Sequence, residues 1–275
     1  MIKIYMVGYG AYVVTVEKDV YVVDAGTPRI GMYNMVPFLK KINVTKIKRV
    51  FVTHYHHNHV GGVPALIRNF DVEVVQTNGV YSDDQGASYV KADPLAKEEL
   101  LRVIDYKKTP YLFEEHGNEY DDKNVTIQIW RPKSEENPGG YTTNPNRSSM
   151  MCRFVYEDFS ILFGGDLVVP ALYEEVYAQL GTVPQATVFA HPHHGDRNAA
   201  VDVVYDPINP RLALIEYISS ATDTKAYLDS KDIEHVQLPA GDKIIKTVTG
   251  FGDGTYVVEE DVNIPRLGWI SPSYN

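Results

Sequence analysis

Cysteine is nearly absent: Cys152 is the only one in 275 residues, so no internal disulfide can form. Its setting, Met151-Cys152-Arg153-Phe154, reads as a strand in which a thiol serves as a small buried apolar group. Positive charge is in deficit. Lys and Arg number 26 against 36 Asp and Glu, a net charge of −10, which argues against broad attraction to phosphate backbones or anionic membranes. No apolar run approaches the roughly 18–20 residues of a membrane-spanning helix. The opening Met1-Ile2-Lys3-Ile4-Tyr5-Met6-Val7 is strand-like and lacks the layout of a secretory signal. No Pro/Gly/Ser linker, charge block or low-complexity run divides the chain. These absences point to one cytoplasmic domain over residues 1–275 with no membrane partner. With 44% hydrophobic residues, it can bury a sizeable core. Nothing signals an oligomeric state.

Histidine, by contrast, is concentrated. Of nine, four fall within Thr53-His54-Tyr55-His56-His57-Asn58-His59-Val60-Gly61-Gly62. A strand-like run, Lys48-Arg49-Val50-Phe51-Val52, precedes them, and a helix-like run, Val63-Pro64-Ala65-Leu66-Ile67-Arg68, follows. Imidazole is the commonest side-chain ligand for zinc-type ions. Side chains two apart in an extended segment point the same way, so His54 and His56 can pinch one ion. His59, at the helix start, can complete that site or reach a second.

Short apolar runs with turn residues between them predict strands over 2–7, 11–17, 19–24, 48–53 and 71–76, and again over 124–130, 150–157 and 159–164. Further strands are expected over 185–190, 211–216, 232–238 and 242–248. Helices are expected near 31–42, 93–105, 170–180 and 221–230. In the second of these, Leu95, Leu100, Leu101 and Ile104 approximate helical spacing. Glu157-Asp158 suits a hairpin turn. The stretch 132–149, rich in Pro, Gly, Asn and Ser, reads as a long loop of the kind that borders sites. Two β-rich halves with interspersed helices predict two sheets covered by helices outside.

Two further strand ends carry candidate ligands. Phe163-Gly164-Gly165-Asp166 places a carboxylate after a buried strand, beside glycines that permit close backbone approach. His191-Pro192-His193-His194-Gly195 repeats the histidine-rich logic after Ala186-Thr187-Val188-Phe189-Ala190. His116 reads as a loop residue and His235 as a surface position on a strand.

These motifs, in this order, resemble the metallo-β-lactamase superfamily, whose signature His-x-His-x-Asp-His-x-Gly-Gly stands here as His54 to Gly62. Within it the chain is most similar to the branch of DNA-uptake hydrolase domains and choline-phosphate esterases. The marks of that branch are Val7-Gly8-Tyr9-Gly10, Asp24-Ala25-Gly26, Asn146-Arg147-Ser148-Ser149, Gly165-Asp166 and His193-His194-Gly195. The resemblance implies an α/β fold, an αββα sandwich of two mixed β-sheets with metals at one edge. It departs at Asn58, where the family has Asp, and in lacking a His after the 211–216 strand. A neutral amide cannot accept a proton, so the second ion should be held weakly and water activated less well.

By that resemblance, His54, His56 and His193 hold one ion and Asp166 bridges. His59, Asp166 and either Asn58 or His194 hold the other. His193 is preferred to His194 because it comes first after Pro192. Asp166, Asn58 and His194 form the catalytic set, Asp24 orients a ligand His, and Asn146, Ser148 and Ser149 touch substrate oxygens. Zinc suits the imidazoles, one ion or two, and the oxygen ligands also admit manganese. The implied activity is metal-dependent hydrolysis of a small or short phosphodiester, with nucleic acid disfavoured by the acidic surface. The alternatives are a lactonase or thioesterase, and a non-catalytic metal-binding descendant of a hydrolase.

Overall fold

A computed structural model describes residues 1–82, 92–135, 138–196, 201–216, 222–238 and 244–262. In chain order the strands of its two large sheets are β1 (Ile2–Gly8), β2 (Ala11–Val16), β3 (Asp19–Ala25), β4 (Arg49–Val52), β5 (Val75–Thr77), β6 (Tyr111–Phe113), β7 (Glu119–Asp122), β8 (Val125–Trp130), β9 (Met151–Tyr156), β10 (Phe159–Phe163), β11 (Val188–Ala190), β12 (Leu212–Ile215), β13 (Glu234–Gln237), β14 (Ile244–Gly250) and β15 (Tyr256–Val262). One sheet runs β15-β14-β1-β2-β3-β4-β5-β6 and the other β7-β8-β9-β10-β11-β12-β13. Both are mixed. β3 to β6 are mutually parallel, as are β10 to β13.

Side-chain alternation along the strands builds three apolar layers. Ile2, Ile4 and Met6 of β1 join Tyr12 and Val14 of β2 and Tyr21 and Val23 of β3 in the central layer. Facing them from the second sheet are Ile127, Cys152, Phe154, Ile161 and Phe163. The alternate set, with Tyr5, Val7, Val13 and Val22, packs outward under Phe38, Leu39, Leu66, Leu100 and Val103. Those residues lie on the helices Val36–Lys41, Val63–Asn69 and Ala92–Lys107. On the other side, Met151, Leu162, Phe189 and Ala213 lie under the helices Pro170–Leu180, Val201–Ile208 and Thr222–Ser230 through Tyr173, Val176, Tyr205 and Leu228. Because both faces of each sheet are covered, the strands read as almost continuous apolar runs. The architecture is the αββα sandwich expected.

Several elements depart from expectation. The first helical stretch begins at Pro28, where Thr27 Oγ1 accepts from Ile30 N–H at 3.3 Å, and runs through a π-helical turn at Gly31–Met35. In the Ala92–Lys107 helix Leu95 is exposed, and Ala96, Leu100 and Val103 form the buried face. The 132–149 loop contains 3-10 turns at Lys133–Glu135 and Pro145–Ser148 and a short strand, Tyr141–Thr142. Strands β6, β7 and β15 and the helix Val201–Ile208 were not foreseen, and residues 239–243 and 217–221 lie outside the described residues. Cys152 is fully buried, and burial pushes its thiol pKa up. No helix among the described residues is long and apolar enough to cross a membrane.

Candidate metal centre

The parallel halves of both sheets end at the same edge of the sandwich, and the candidate residues follow these strand ends. Asp24 closes β3, Thr53 and His54 follow β4, Asp166 follows β10, His191 to His194 follow β11 and Glu216 follows β12. Ligands commonly sit beyond the carboxyl ends of parallel strands, where the connecting loops diverge.

Two ligand groups form there, His54 with His56 and Asp166, and His59 with His194 and Asp166. Within each, the donor atoms lie within 4.8 Å of one another. Asp166 is common to both. Its Oδ2 is 3.6 Å from His54 Nε2, 3.1 Å from His59 Nε2 and 3.6 Å from His194 Nε2. His54 Nε2 lies 2.9 Å from His56 Nδ1, so the pair presents opposite ring nitrogens to one point. His59 reaches the site from a short helix, His57–Val60, that follows the loop at once.

The far nitrogens are held from behind, which fixes which nitrogen faces inward. His59 Nδ1 meets Asp24 Oδ2 at 2.8 Å, and His194 Nδ1 meets Glu216 Oε2 at 2.5 Å. His54 Nδ1 lies 3.0 Å from Thr53 Oγ1, whose own hydroxyl donates to Asp24 Oδ2 at 2.7 Å. Thr53 N–H also donates to Asp24 Oδ1 at 2.8 Å. Carboxylates behind imidazoles set the tautomer and ring orientation and raise ligand basicity. For a ring that takes a metal, this network favours the tautomer with the proton on Nδ1 and the Nε2 lone pair turned inward.

Charge in the centre is balanced by neighbours. Burial works against ionisation of Asp166, but the charges of His59, His194 and His54 outweigh it and hold the carboxyl well below its usual range. Burial likewise opposes a charged His59, yet Asp166 and Asp24 raise its pKa well above the ordinary value. His54 goes the other way: burial, then repulsion from His59, holds it well below. The residues fit a divalent ion. Inward-facing ring nitrogens and one carboxylate converge in a largely buried cluster, a donor set that suits a divalent cation.

The structure settles where each expected residue stands. His54, His56, His59 and Asp166 come together, and Asp24 supports His59. His193 does not join either group; its Nδ1 lies 3.6 Å from Asp196 and its side chain is partly exposed. His194 occupies the inward position instead, so the geometry reverses the preference within the pair. The cause is local backbone: His193 and His194 are both left-handed, at φ 51° and 61°, which turns the second ring inward and the first away. Consecutive non-glycine residues in this region are strained, and such strain concentrates at functional sites. His191 is buried at the strand end, its Nδ1 2.6 Å from the Pro192 carbonyl. Burial pushes its pKa down to about 4.

Asn58 sits at the rim with its Nδ2 3.0 Å from His194 Nε2, so its amide addresses a ligand nitrogen. Ser148 and Ser149 are both buried and bonded within the protein. The Ser148 hydroxyl is buried between Asn78 Nδ2 at 3.1 Å and the Pro145 carbonyl at 3.0 Å. Ser149 Oγ accepts from Asp166 N–H at 2.9 Å and lies 3.3 Å from His54 Nδ1. It therefore positions two ligand-bearing residues. Asn146 Oδ1 is buried without a hydrogen-bond partner. His116 is a loop residue against the Arg131 carbonyl, and His235 lies on β13.

Glu216 was missed, although an acid directly after a buried strand is the same signal that singled out Asp166. Its Oε2 accepts from Gly10 N–H at 2.7 Å as well as supporting His194. Gly10 has φ +62°, and a Cβ there would stand 2.4 Å from the Asn58 carbonyl oxygen. Its neighbour Tyr9 stacks on the His194 ring at 3.7 Å.

A family model described as the metallo-beta-lactamase superfamily matches residues 10–215. The chain is 29% identical over 76 residues to ribonuclease J of Mycoplasma genitalium, a segment covering 25% of this chain and 13% of that protein. It is 30% identical over 78 residues to ribonuclease J2 of Bacillus subtilis, covering 26% of this chain and 14% of that protein. The chain thus spans only about one-seventh of the length of these curated relatives. Among solved structures, Igni18, a metallo hydrolase from Ignicoccus hospitalis, superposes with TM-score 0.52 at 12% identity, covering 94% of this chain and 99% of that one. CmlA, a diiron beta-hydroxylase from Streptomyces venezuelae, gives TM-score 0.55 at 11% identity over 90% of this chain and 53% of that one.

Proposed function

The chain belongs to the metallo-beta-lactamase superfamily, and on that footing we propose that it is a metal-dependent hydrolase acting on a small or short phosphodiester. The observation that carries the reading is the pair of ligand groups sharing Asp166. His54, His56 and Asp166 would hold one ion; His59, His194 and Asp166 the other. A divalent ion so held acts as a Lewis acid, lowering the pKa of water toward neutrality and polarising an ester or phosphoryl oxygen. The residues around it supply orientation. Asp24 and Glu216 keep His59 and His194 aimed inward, and Ser149 holds the backbone of Asp166. Zinc matches the imidazole-rich set, and oxygen ligands also admit manganese. Metal analysis of protein purified without added metal distinguishes these from iron, which the diiron relative carries.

The similarity to ribonucleases supports a phosphodiester. The net charge of −10 argues for a small or short substrate over long duplexes, which favour basic grooves. Bis-p-nitrophenyl phosphate and short oligonucleotides are the first substrates to assay, with zinc or manganese restored. Turnover is expected, and His56→Ala should reduce it to background. Cleavage of a lactone or thioester with no phosphodiester turnover would replace this reading by an ester hydrolase acting through the same centre. Silence on every substrate, in the parent and in Asn58→Asp, would favour a non-catalytic metal-binding protein.

Asn58→Asp is itself informative. An anionic oxygen beside His194 and Asp166 should strengthen the second ion's site. The parent is expected to keep fewer than two equivalents of metal through dialysis, and the variant to keep more and to turn over faster. Two full equivalents in the parent would show that the neutral amide does not weaken the site.

A further inference from the structure

Asp93 lies outside every motif that marks the family, yet it is buried against the histidine loop. It stands in the first turn of the Ala92–Lys107 helix and is 3% exposed. Its Oδ1 accepts from His57 N–H at 2.7 Å and lies 3.2 Å from His57 Nδ1. Its Oδ2 accepts from Ser82 Oγ at 3.0 Å and lies 3.9 Å from His56 Nε2. The ligand nitrogen of His56 is the other one, Nδ1, which faces His54 Nε2.

We propose that Asp93 is the positioning residue for the His54–His56–Asp166 group, holding His56 from behind as Asp24 holds His59 and Glu216 holds His194. The proposal rests on the reading of that group as a metal site. A buried carboxylate opposite Nε2 favours the tautomer with the proton there and the lone pair on Nδ1, the form that can ligate. At 3.9 Å the contact is electrostatic, longer than a hydrogen bond. The bond to His57 N–H fixes the backbone next to His56, so the carboxylate sets both ring orientation and loop position. Ser82 Oγ and the helix N-terminus keep the carboxylate charged and in place.

The test isolates this group. In a His194→Ala background the other ligand set is broken, and zinc affinity is read by competition with a chelator. That background alone must bind zinc; if it does not, the metal reading of this group fails and the proposal with it. Asp93→Asn keeps the shape but removes the charge, and should weaken zinc by about 10- to 100-fold, the usual effect of losing a carboxylate behind a ligand histidine. The metal-free variant should remain folded, and Asp93→Glu should recover part of the loss. His57→Ala should stay close to the background affinity. Should Asp93→Asn fail to fold, Ser82→Ala loosens the same carboxylate more gently, and about a threefold loss is expected from one hydrogen bond. Unchanged zinc affinity in a folded Asp93→Asn, or in the Ser82→Ala substitute, overturns the proposal. So does an equal loss in His57→Ala, which would show that Asp93 acts through His57.

Discussion

Replacing Asp166 with asparagine is expected to empty both ligand groups at once. Every other ligand belongs to one group; Asp166 Oδ2 lies 3.1–3.6 Å from His54, His59 and His194 together. The amide keeps the volume and loses the charge that those buried imidazoles face. Losing the anion common to both sets should cost each of them more than the roughly 10- to 100-fold that follows loss of a supporting carboxylate. Both equivalents of metal should therefore be lost on dialysis, and hydrolysis should fall to background even at saturating substrate. The variant should still fold, because Ser149 Oγ is bonded to the backbone N–H of residue 166 and not to its side chain. Retention of one tightly held ion would show that one group is complete without Asp166.

The second large effect concerns folding. Gly62→Ala should strongly destabilise the protein, although Gly62 has an ordinary φ of −81°. The obstacle is space: a Cβ there would stand 2.0 Å from the Ala25 carbonyl oxygen and 2.9 Å from Gly31 Cα. Gly62 N–H also donates to the Gly26 carbonyl at 2.8 Å, which locks the approach. Neither neighbour can yield easily, since Ala25 ends β3 directly after Asp24. Overpacking of this kind costs about 3 kcal/mol at the upper end of its usual range. A clear fall in the urea midpoint is expected, with weaker metal binding as Asp24 is displaced. Gly181→Ala offers a contrast. Gly181 has φ +66° and open space around it, so only backbone strain of about 1 kcal/mol is expected. Equal midpoints for the two variants would refute the steric argument.

What could be read from the chain follows the range of the interactions involved. Short apolar runs such as Ile2-Lys3-Ile4-Tyr5-Met6-Val7, bounded by turn residues, predict strands, and motif order predicts the sandwich. His54 and His56 were legible because two residues in an extended segment share a side. The choice between His193 and His194 was not, because it depends on two left-handed residues in succession. No side-chain preference announces that backbone, and Pro192 restrains its own φ and the residue before it but not the two that follow. Asp93 was invisible for another reason. It lies 36 residues from His57, and no local pattern links a first-turn helical acid to a loop so distant. The short β6 and β7 have partly exposed burial patterns, so they lacked the apolar contrast that marks a buried strand.

The centre also has a mechanical meaning. His54, His56 and His59 extend from the first sheet, whereas Asp166 and His194 extend from the second. An ion gripped by both sets is a clamp across the sandwich, adding to the few polar bonds that already cross that edge, such as Gly10 N–H to Glu216 and Met150 N–H to the Thr53 carbonyl. Ligation and folding are then thermodynamically linked: free ion at 100 times its dissociation constant adds about 2.7 kcal/mol to the folded state. The melting temperature should climb with the logarithm of metal concentration and drop on chelation. Metal supply would thereby govern how long the protein survives as well as how fast it works.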